Sequence, residues 1–171
     1  QVFDQSVVTE HNIGVSGGSA SGRYYLSGSY IDNKGTMLNN YFKRYTLRAN
    51  TEFNAGRFTF GENVSISRIN SVGQDGISGG NQDEQGIMTW VTIMNPLTPV
   101  YDVGGNYAGD KAPGMSNGSN PLAQLDRNQN NEGTFYRILG NVYADLKIFE
   151  GLTARTSLGV DFYQNYTGGF A

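Results

Sequence analysis

The sequence contains no cysteine, which excludes a disulfide framework and thiolate metal sites. Its one histidine, His11, lacks the serine or cysteine partner arrangement that nucleophilic catalysis requires. No stretch approaches the roughly 18 apolar residues that a membrane-spanning helix needs. Twelve basic residues against 15 acidic ones give a net charge of −3, which carries no strong nucleic-acid signal. We therefore predict no enzyme activity, no cofactor and no nucleic-acid partner.

What the sequence does contain is glycine, tyrosine, phenylalanine and strong alternation. In the stretch from Phe42 to Phe53, Tyr45 and Leu47 fall on one side of a strand, and Arg44 and Arg48 on the other. A soluble sandwich would bury the apolar side. A membrane barrel would turn that side to lipid and the charged side to its lumen. This stretch alone fits both arrangements.

The same period of two recurs along the chain and predicts an all-β fold. The predicted strands cover residues 11–17, 23–32, 42–53, 57–72, 134–149 and 152–166. Glu62 interrupts the apolar side of the fourth strand, which indicates either a position near a membrane interface or a bulge that re-aims the side chain.

Between residues 73 and 133 the alternation stops. All four prolines lie in this segment, and central strands exclude proline. The segment is acidic, with two basic and seven acidic residues giving 2 − 7 = −5. We predict one long extracellular loop, with a short helix within residues 83–94 that ends at Asn95-Pro96.

Short and long connections alternate along the chain. Tight turns are predicted at residues 18–22, 54–56 and 150–151, and longer connections at 33–41 and 73–133. Outer-membrane barrels have short periplasmic turns and longer external loops. The pattern predicts an antiparallel meander of about six long strands that forms part of a large transmembrane β-barrel.

Several stretches, in this order, resemble the early barrel of SusC-like TonB-dependent transporters of Bacteroidetes. They are Asn12–Ser19, Tyr24–Tyr30, Phe42–Asn50, Asn120–Leu125 and Gly151–Asp161. The resemblance covers nearly the whole chain. It implies energised import of nutrients, namely glycan or peptide fragments, through a large barrel in the bacterial outer membrane.

The resemblance also implies a set of partners. These are the remainder of the barrel with its plug domain, a SusD-like surface lipoprotein, TonB acting through the plug, and outer-membrane lipid. We find no plug domain, TonB box or closing strand in the sequence, and six strands cannot close so large a barrel. We therefore expect the chain to belong to a longer polypeptide or to have a complementing partner.

Charged residues on the polar side of the strands are the predicted lumen-facing side chains. They are Arg44, Arg48, Glu52, Arg137, Asp145, Lys147, Arg155 and Asp161. They could form cross-strand ion pairs, hold the plug or touch cargo. Candidates for aromatic girdles at the membrane interfaces are Tyr24, Tyr30, Tyr45, Phe53, Phe58, Tyr136, Phe149 and Phe162.

In the long loop, Trp90, Tyr101 and Tyr107 could contact a ligand or a lid protein, or could form the small core of the loop. We predict no metal site. The loop acids that could gather oxygen ligands for calcium are Asp75, Asp83, Asp102 and Asp110, but their spacing does not match an EF-hand and acidic loops are usually just solvated. The alternative fold and function is a secreted or surface-exposed β-sandwich that binds carbohydrate or protein.

Overall fold

The chain forms a six-stranded antiparallel sheet in a computed structural model, which describes residues 2–73, 87–109 and 118–168. Its strands are β1 (Val8–Ser19), β2 (Gly22–Lys34), β3 (Tyr41–Ala55), β4 (Phe58–Val72), β5 (Gly133–Phe149) and β6 (Leu152–Thr167). The strands are ordered in the sheet as in the chain. The predicted meander of six long strands is therefore confirmed.

Local sequence explains why the strands form and where two of the tight turns lie. Tyrosine, phenylalanine, valine and isoleucine at alternate positions favour a pleated strand. Gly56 and Gly151 close two of the tight turns with φ angles of 62° and 88°, a left-handed conformation in which glycine meets no Cβ clash. Tight turns therefore lie at one end of the sheet, and the connections of residues 35–40 and 73–132 lie at the other, which we call the long-loop end.

The pairing register sorts the side chains into two faces. The face that we call the apolar face has, as one row across all six strands, Ile13, Gly28, Leu47, Ile66, Ile138 and Phe162. The opposite face, the polar face, has as its adjacent row Gly14, Ser27, Arg48, Ser65, Leu139 and Asp161. Both rows run without a register shift. The apolar-face row therefore has no polar side chain across all six strands, whereas the polar-face row includes one apolar side chain, Leu139.

The connection between β4 and β5 has structure of its own, and we call its described part the excursion. It contains helix α1 (Ile87–Ile93), an antiparallel bridge between Tyr101 and Tyr107, and helix α2 (Pro121–Asn128). The expected short helix is thus present as α1. Sequence reasoning missed α2, although Asn120-Pro121 is an N-cap residue followed by proline at the first helical position. Within the described ranges, no helix has the length and apolar content needed to cross a membrane.

Loops at the long-loop end pack on one another. The chain start pairs with the β2–β3 connection, where the Asp4 amide donates to Thr36 at 2.8 Å and the Leu38 amide donates to Val2 at 3.1 Å. Asn39, in the left-handed region at φ 62°, donates its side-chain amide to the Leu125 carbonyl of α2 at 3.2 Å. The buried apolar side chains of the excursion are Ile87, Trp90, Ala123 and Leu125.

Asn120 joins the parts of the excursion. Its side-chain oxygen accepts from the Leu122 amide at 3.0 Å, and its side-chain nitrogen donates to the carbonyls of Val100 and Ala108, each at 2.9 Å. The residue is 7% exposed, so these groups have little access to water. One side chain thus caps α2 and holds both sides of the segment that contains the tyrosine bridge.

We expect Asn120→Ala to loosen the excursion by about 2 kcal/mol, because it removes the helix cap and the two hydrogen bonds that the side-chain nitrogen donates to the carbonyls of Val100 and Ala108. Asn120→Ser is the matched control, since it keeps a cap acceptor but is too short to donate to the two carbonyls, and its effect should lie between those of wild type and Asn120→Ala. Limited proteolysis of the full-length protein in membranes measures the difference. Equal cleavage rates for wild type and Asn120→Ala would contradict this role.

Candidate functional site

The centre of the apolar face is a band of aliphatic side chains with no polar group in it. Next to the row of Ile13 lies a row of Val15, Leu26, Ala49, Val64, Gly140 and Val160. These side chains are uncovered: Ile13 is 78% exposed and Leu47 is 66% exposed. An apolar surface of this extent needs an apolar surrounding.

An aromatic row borders this band on the side of the long-loop end, and we call it the tyrosine row. It runs through His11, Tyr30, Tyr45, Arg68, Tyr136 and Gln164. The rings of Tyr30 and Tyr45 lie 4.9 Å apart, and the Arg68 guanidinium lies 5.5 Å from the Tyr136 ring. Aromatic side chains with polar ends favour the boundary between lipid and water.

Phenylalanines border the band on the opposite side. Phe53 and Phe60 are paired across β3 and β4, and Phe58 stacks on Phe60 at 5.9 Å. Tyr45 and Phe53 are eight residues apart on β3, about 27 Å at about 3.4 Å per residue. A strand tilt of about 40° shortens that to about 21 Å along a barrel axis, close to the ~25 Å apolar band of outer-membrane barrels.

Glu62 lies on the apolar face, paired with Thr51 and Val142 in a register that continues through it. A bulge therefore does not re-aim its side chain. It sits one row from the phenylalanines, toward the edge of the band, where a carboxylate costs less than at its centre. Of the two explanations offered by the sequence, the position near an interface agrees with this geometry.

All the charged residues predicted to face a lumen lie on the polar face. They are Arg44, Arg48, Glu52, Arg137, Asp145, Lys147, Arg155 and Asp161. Two pairs join β5 to β6 through forked contacts: Arg137 donates to Asp161 at 2.9 and 2.7 Å, and Arg155 donates to Asp145 at 2.6 and 2.7 Å. Exposed ion pairs add little stability, but a forked geometry fixes the orientation of both side chains.

A network of side chains crosses five strands near the tight-turn end of the polar face. Arg23 on β2 donates to Glu52 on β3 at 3.0 Å, and the Tyr143 hydroxyl on β5 donates to the same carboxylate at 2.8 Å. The Arg155 guanidinium lies 4.5 Å from the Tyr143 ring. Gly61 on β4 makes this possible, because it pairs with Glu52 on one side and with Tyr143 on the other.

A side chain at Gly61 would occupy the space of the tyrosine ring, since a Cβ there would lie 2.2 Å from Tyr143 Cζ. Arg23, Gly61 and Tyr143 were not among the predicted site residues. Their relation depends on register between strands, and residues 61 and 143 are separated by the whole excursion. The alternation of each strand gives no signal for it.

We expect Gly61→Ala to push the Tyr143 ring off β4 and break its bond to Glu52, lowering the stability of the folded barrel by about 1–3 kcal/mol. Gly159→Ala is the matched control on the same face, because the nearest atom to its added Cβ is 3.9 Å away. The midpoint of heat-induced unfolding of the full-length protein, followed by gel mobility, measures both. Equal unfolding midpoints for the two variants would contradict the packing of Tyr143 over Gly61.

Three of the predicted lumen-facing cations make no ion pair with a described residue: Arg44, Arg48 and Lys147. Arg48 lies between Ser27 and Ser65 on the neighbouring strands, whose side chains are short and uncharged. Arg44 lies 6.0 Å from the Phe42 ring, and its buried Nε has no hydrogen-bond partner among the described residues. These cations are the ones left open to other groups.

In the excursion, the three predicted aromatic contact residues have different environments. Trp90 is 4% exposed and belongs to the core of the excursion. Tyr101 and Tyr107 stack at 5.4 Å and are 53% and 39% exposed. Partial burial, followed by the nearby Asp126 carboxylate, raises the pKa of Tyr107. The tyrosine pair is therefore the part of the excursion that offers aromatic surface.

Asp102 uses its carboxylate to order the turn between these tyrosines. Its Oδ1 accepts from the amides of Gly104 at 2.8 Å and Asn106 at 2.9 Å. These backbone hydrogen bonds, those from Asn106 first, lower the pKa of Asp102. The other calcium candidates, Asp75, Asp83 and Asp110, lie outside the described residues. Among the described residues, no group of three or more histidine, aspartate or glutamate side chains is placed to hold a metal ion.

We expect Asp102→Ala to expose the amides of Gly104 and Asn106 to roughly tenfold faster hydrogen exchange at neutral pH, because their acceptor is lost. The pKa is lower in the folded turn than in the unfolded chain. The protection is therefore complete above the ordinary carboxyl pKa and is lost as pH falls through the lowered one. Asp102→Asn keeps an acceptor but removes this pH dependence. Exchange normalised to intrinsic rates checks both, and pH-independent protection in wild type would contradict the assignment.

An apolar band between two aromatic borders, backed by a charged opposite face, is the construction of the wall of a transmembrane β-barrel. The sheet is open, so it forms part of such a wall.

Comparison with known proteins agrees with this class. No protein-family model matches the chain. The chain is 23% identical over 176 residues to TonB-dependent receptor P3 of Formosa agariphila, covering 99% of this chain and 17% of the relative. It is 29% identical over 153 residues to TonB-dependent receptor P26 of the same organism, covering 88% of this chain and 14% of the relative. It resembles a chain of the RagAB peptide importer in its closed-closed state, with TM-score 0.71 and 25% identity, covering 95% of this chain and 18% of that one.

The chain is thus homologous to TonB-dependent receptors and structurally similar to the SusC-like RagAB transporter, which confirms the resemblance found in the sequence. An outer-membrane location follows from this homology. The chain spans less than a fifth of the length of the relatives it matches.

Proposed function

We propose that this chain forms part of the wall of a TonB-dependent importer, which carries glycan or peptide fragments across the outer membrane. The observation that carries the proposal is the apolar band of the sheet, bordered by the tyrosine row and by Phe53 and Phe60. Its size matches the apolar zone of an outer membrane. The similarity to a peptide importer supports short peptides as one class of cargo.

In this proposal the polar face lines the lumen. The ion-paired arginines, Arg23, Arg137 and Arg155, brace neighbouring strands and keep the wall stiff. The cations without an ion pair, Arg44, Arg48 and Lys147, contact the plug domain or the cargo. Support comes from the contrast between these two groups, since a cation without a carboxylate on its own wall is free to pair with an anionic group that enters the lumen.

The excursion serves as an extracellular contact surface. Tyr101 and Tyr107 present stacked rings on a turn that Asp102 orders, and a preordered aromatic pair loses little entropy on binding. We assign this pair to contact with cargo or with a SusD-like surface lipoprotein that covers the barrel. Trp90 serves the packing of the excursion instead.

The remaining partners follow from the same proposal. The rest of the barrel pairs with the edges of β1 and β6, a plug domain fills the lumen, and TonB acts on that plug from the periplasm. The segment itself carries out no bond chemistry. Its part in transport is to provide a fixed wall, a polar lining and an external contact surface.

We expect Val64→Arg in the full-length protein to prevent assembly in the outer membrane and to abolish uptake of labelled oligopeptides or oligosaccharides. Val64 lies midway between Tyr45 and Phe53 in the rows of the apolar face, where arginine costs about 2–4 kcal/mol in lipid. Asn63→Arg is the matched control, because its side chain lies on the polar face, and the variant should assemble. Surface labelling and outer-membrane fractionation measure assembly.

If Val64→Arg assembles as well as Asn63→Arg, the apolar face does not meet lipid and the barrel-wall proposal fails. Cooperative folding of the isolated chain as a soluble monomer would contradict it equally. The alternative of a β-sandwich requires a second layer over the apolar face. The described residues provide none, as Ile13, Leu47 and Leu158 remain more than half exposed.

A further inference from the structure

The apolar face carries basic side chains at its long-loop end alone, within the described strands. They are Lys34, Lys43 and Arg68. Arg68 lies in the tyrosine row, and Lys43 lies one row further toward the loops, paired with Asp32 and Asn70. The opposite border, with Phe53, Phe58 and Phe60, has no basic residue. This asymmetry is not needed for an apolar band and calls for a separate explanation.

Arg68 is held in a fixed orientation on this face. Its Nε donates to Asn70 Oδ1 at 2.9 Å, and its guanidinium lies 5.5 Å from the Tyr136 ring. These two contacts use the Nε–H group and one face of the guanidinium plane. No described carboxylate lies within ion-pair distance of Arg68, so its terminal amino groups are open to an external acceptor.

The surrounding charges leave this end of the face positive. Lys43 lies 3.9 Å from Asp32, and Glu132 approaches from the start of β5, where it accepts hydrogen bonds from Asn70 and Tyr41. Those bonds lower the pKa of Glu132, so it is charged near neutral pH. Three cations against these two carboxylates give 3 − 2 = +1. Glu132 interacts electrostatically with both Arg68 and Lys43, but Arg68 makes no ion pair with either carboxylate.

We propose that Arg68, assisted by Lys43, binds the phosphate of a lipid headgroup in the leaflet at the long-loop end. The inference rests on the proposed barrel wall, which puts the apolar face against lipid. In that setting the tyrosine row marks the boundary of the hydrocarbon zone, the depth at which headgroup phosphates lie. An oriented guanidinium matches the oxygens of a phosphate, and the neighbouring apolar rows accept the acyl chains.

The test uses delipidated full-length protein in detergent and compares three probes by native mass spectrometry and calorimetry. The probes are a short-chain phosphatidic acid, the corresponding diacylglycerol and inorganic phosphate. Wild type should bind the phosphatidic acid more tightly than either of the others, because only that lipid has both the phosphate and the chains. Arg68→Gln should weaken this binding by about fivefold, the effect of one basic residue at a membrane surface.

Two control variants make the result specific. Arg68→Lys keeps the charge but lacks the fork, so it should bind between wild type and Arg68→Gln. Arg48→Gln removes an exposed arginine from the polar face and should leave lipid binding unchanged. Unchanged binding in Arg68→Gln, an equal loss in Arg48→Gln, or equal affinity for inorganic phosphate and for the lipid would each overturn the proposal. A protein that assembles in the outer membrane yet fails these comparisons would refute the lipid site alone and leave the barrel wall standing.

Discussion

The antiparallel hydrogen-bond ladder is the interaction on which every other feature of this protein depends. Side chains alternate between the faces with a period of two, so a slip of one residue would send Leu47 to the polar face and Arg48 to the apolar one. In a bilayer the ladder must also supply the hydrogen-bond partners of the backbone amides and carbonyls, since lipid offers none. The outer edges of β1 and β6 therefore need strand partners as much as the inner strands do.

The two faces then use side chains for different purposes. On the apolar face, aliphatic rows between Tyr45 and Phe53 set the depth of the sheet in a membrane. On the polar face, side chains reach across strands, and the path from Glu52 over Gly61 to Tyr143 joins three neighbouring strands. An added contact of this kind strengthens the register, because a slipped pairing would place the tyrosine over a residue with a side chain.

The strands, their order and the chemistry of each face could be predicted from the sequence because they depend on local alternation. Alternation within β3 alone places Arg44 and Arg48 on one face and Tyr45 and Leu47 on the other. What alternation does not contain is the pairing of distant residues. The Tyr143 path over Gly61 and the position of Glu62 beside Val142 both depend on which residues face each other across strands. Helix α2 had a local signal at Asn120, but its low apolar content and the surrounding irregular chain obscured it.

The two ends of the sheet differ in how they are stabilised, and this difference suits a wall that must stay fixed while the material inside it moves. At the tight-turn end, the strands are joined by side chains of the sheet itself, through Glu52 and Tyr143. At the long-loop end, the loops hold one another through Asn39 and Asn120, and Glu132 joins the excursion to β4 through Asn70. The contact between Glu52 and Tyr143, which spans β3 to β5, therefore lies at the opposite end of the sheet from these loops. On the proposed function, this arrangement sets the cross-strand contacts of the wall apart from the loops assigned to recognition outside the barrel.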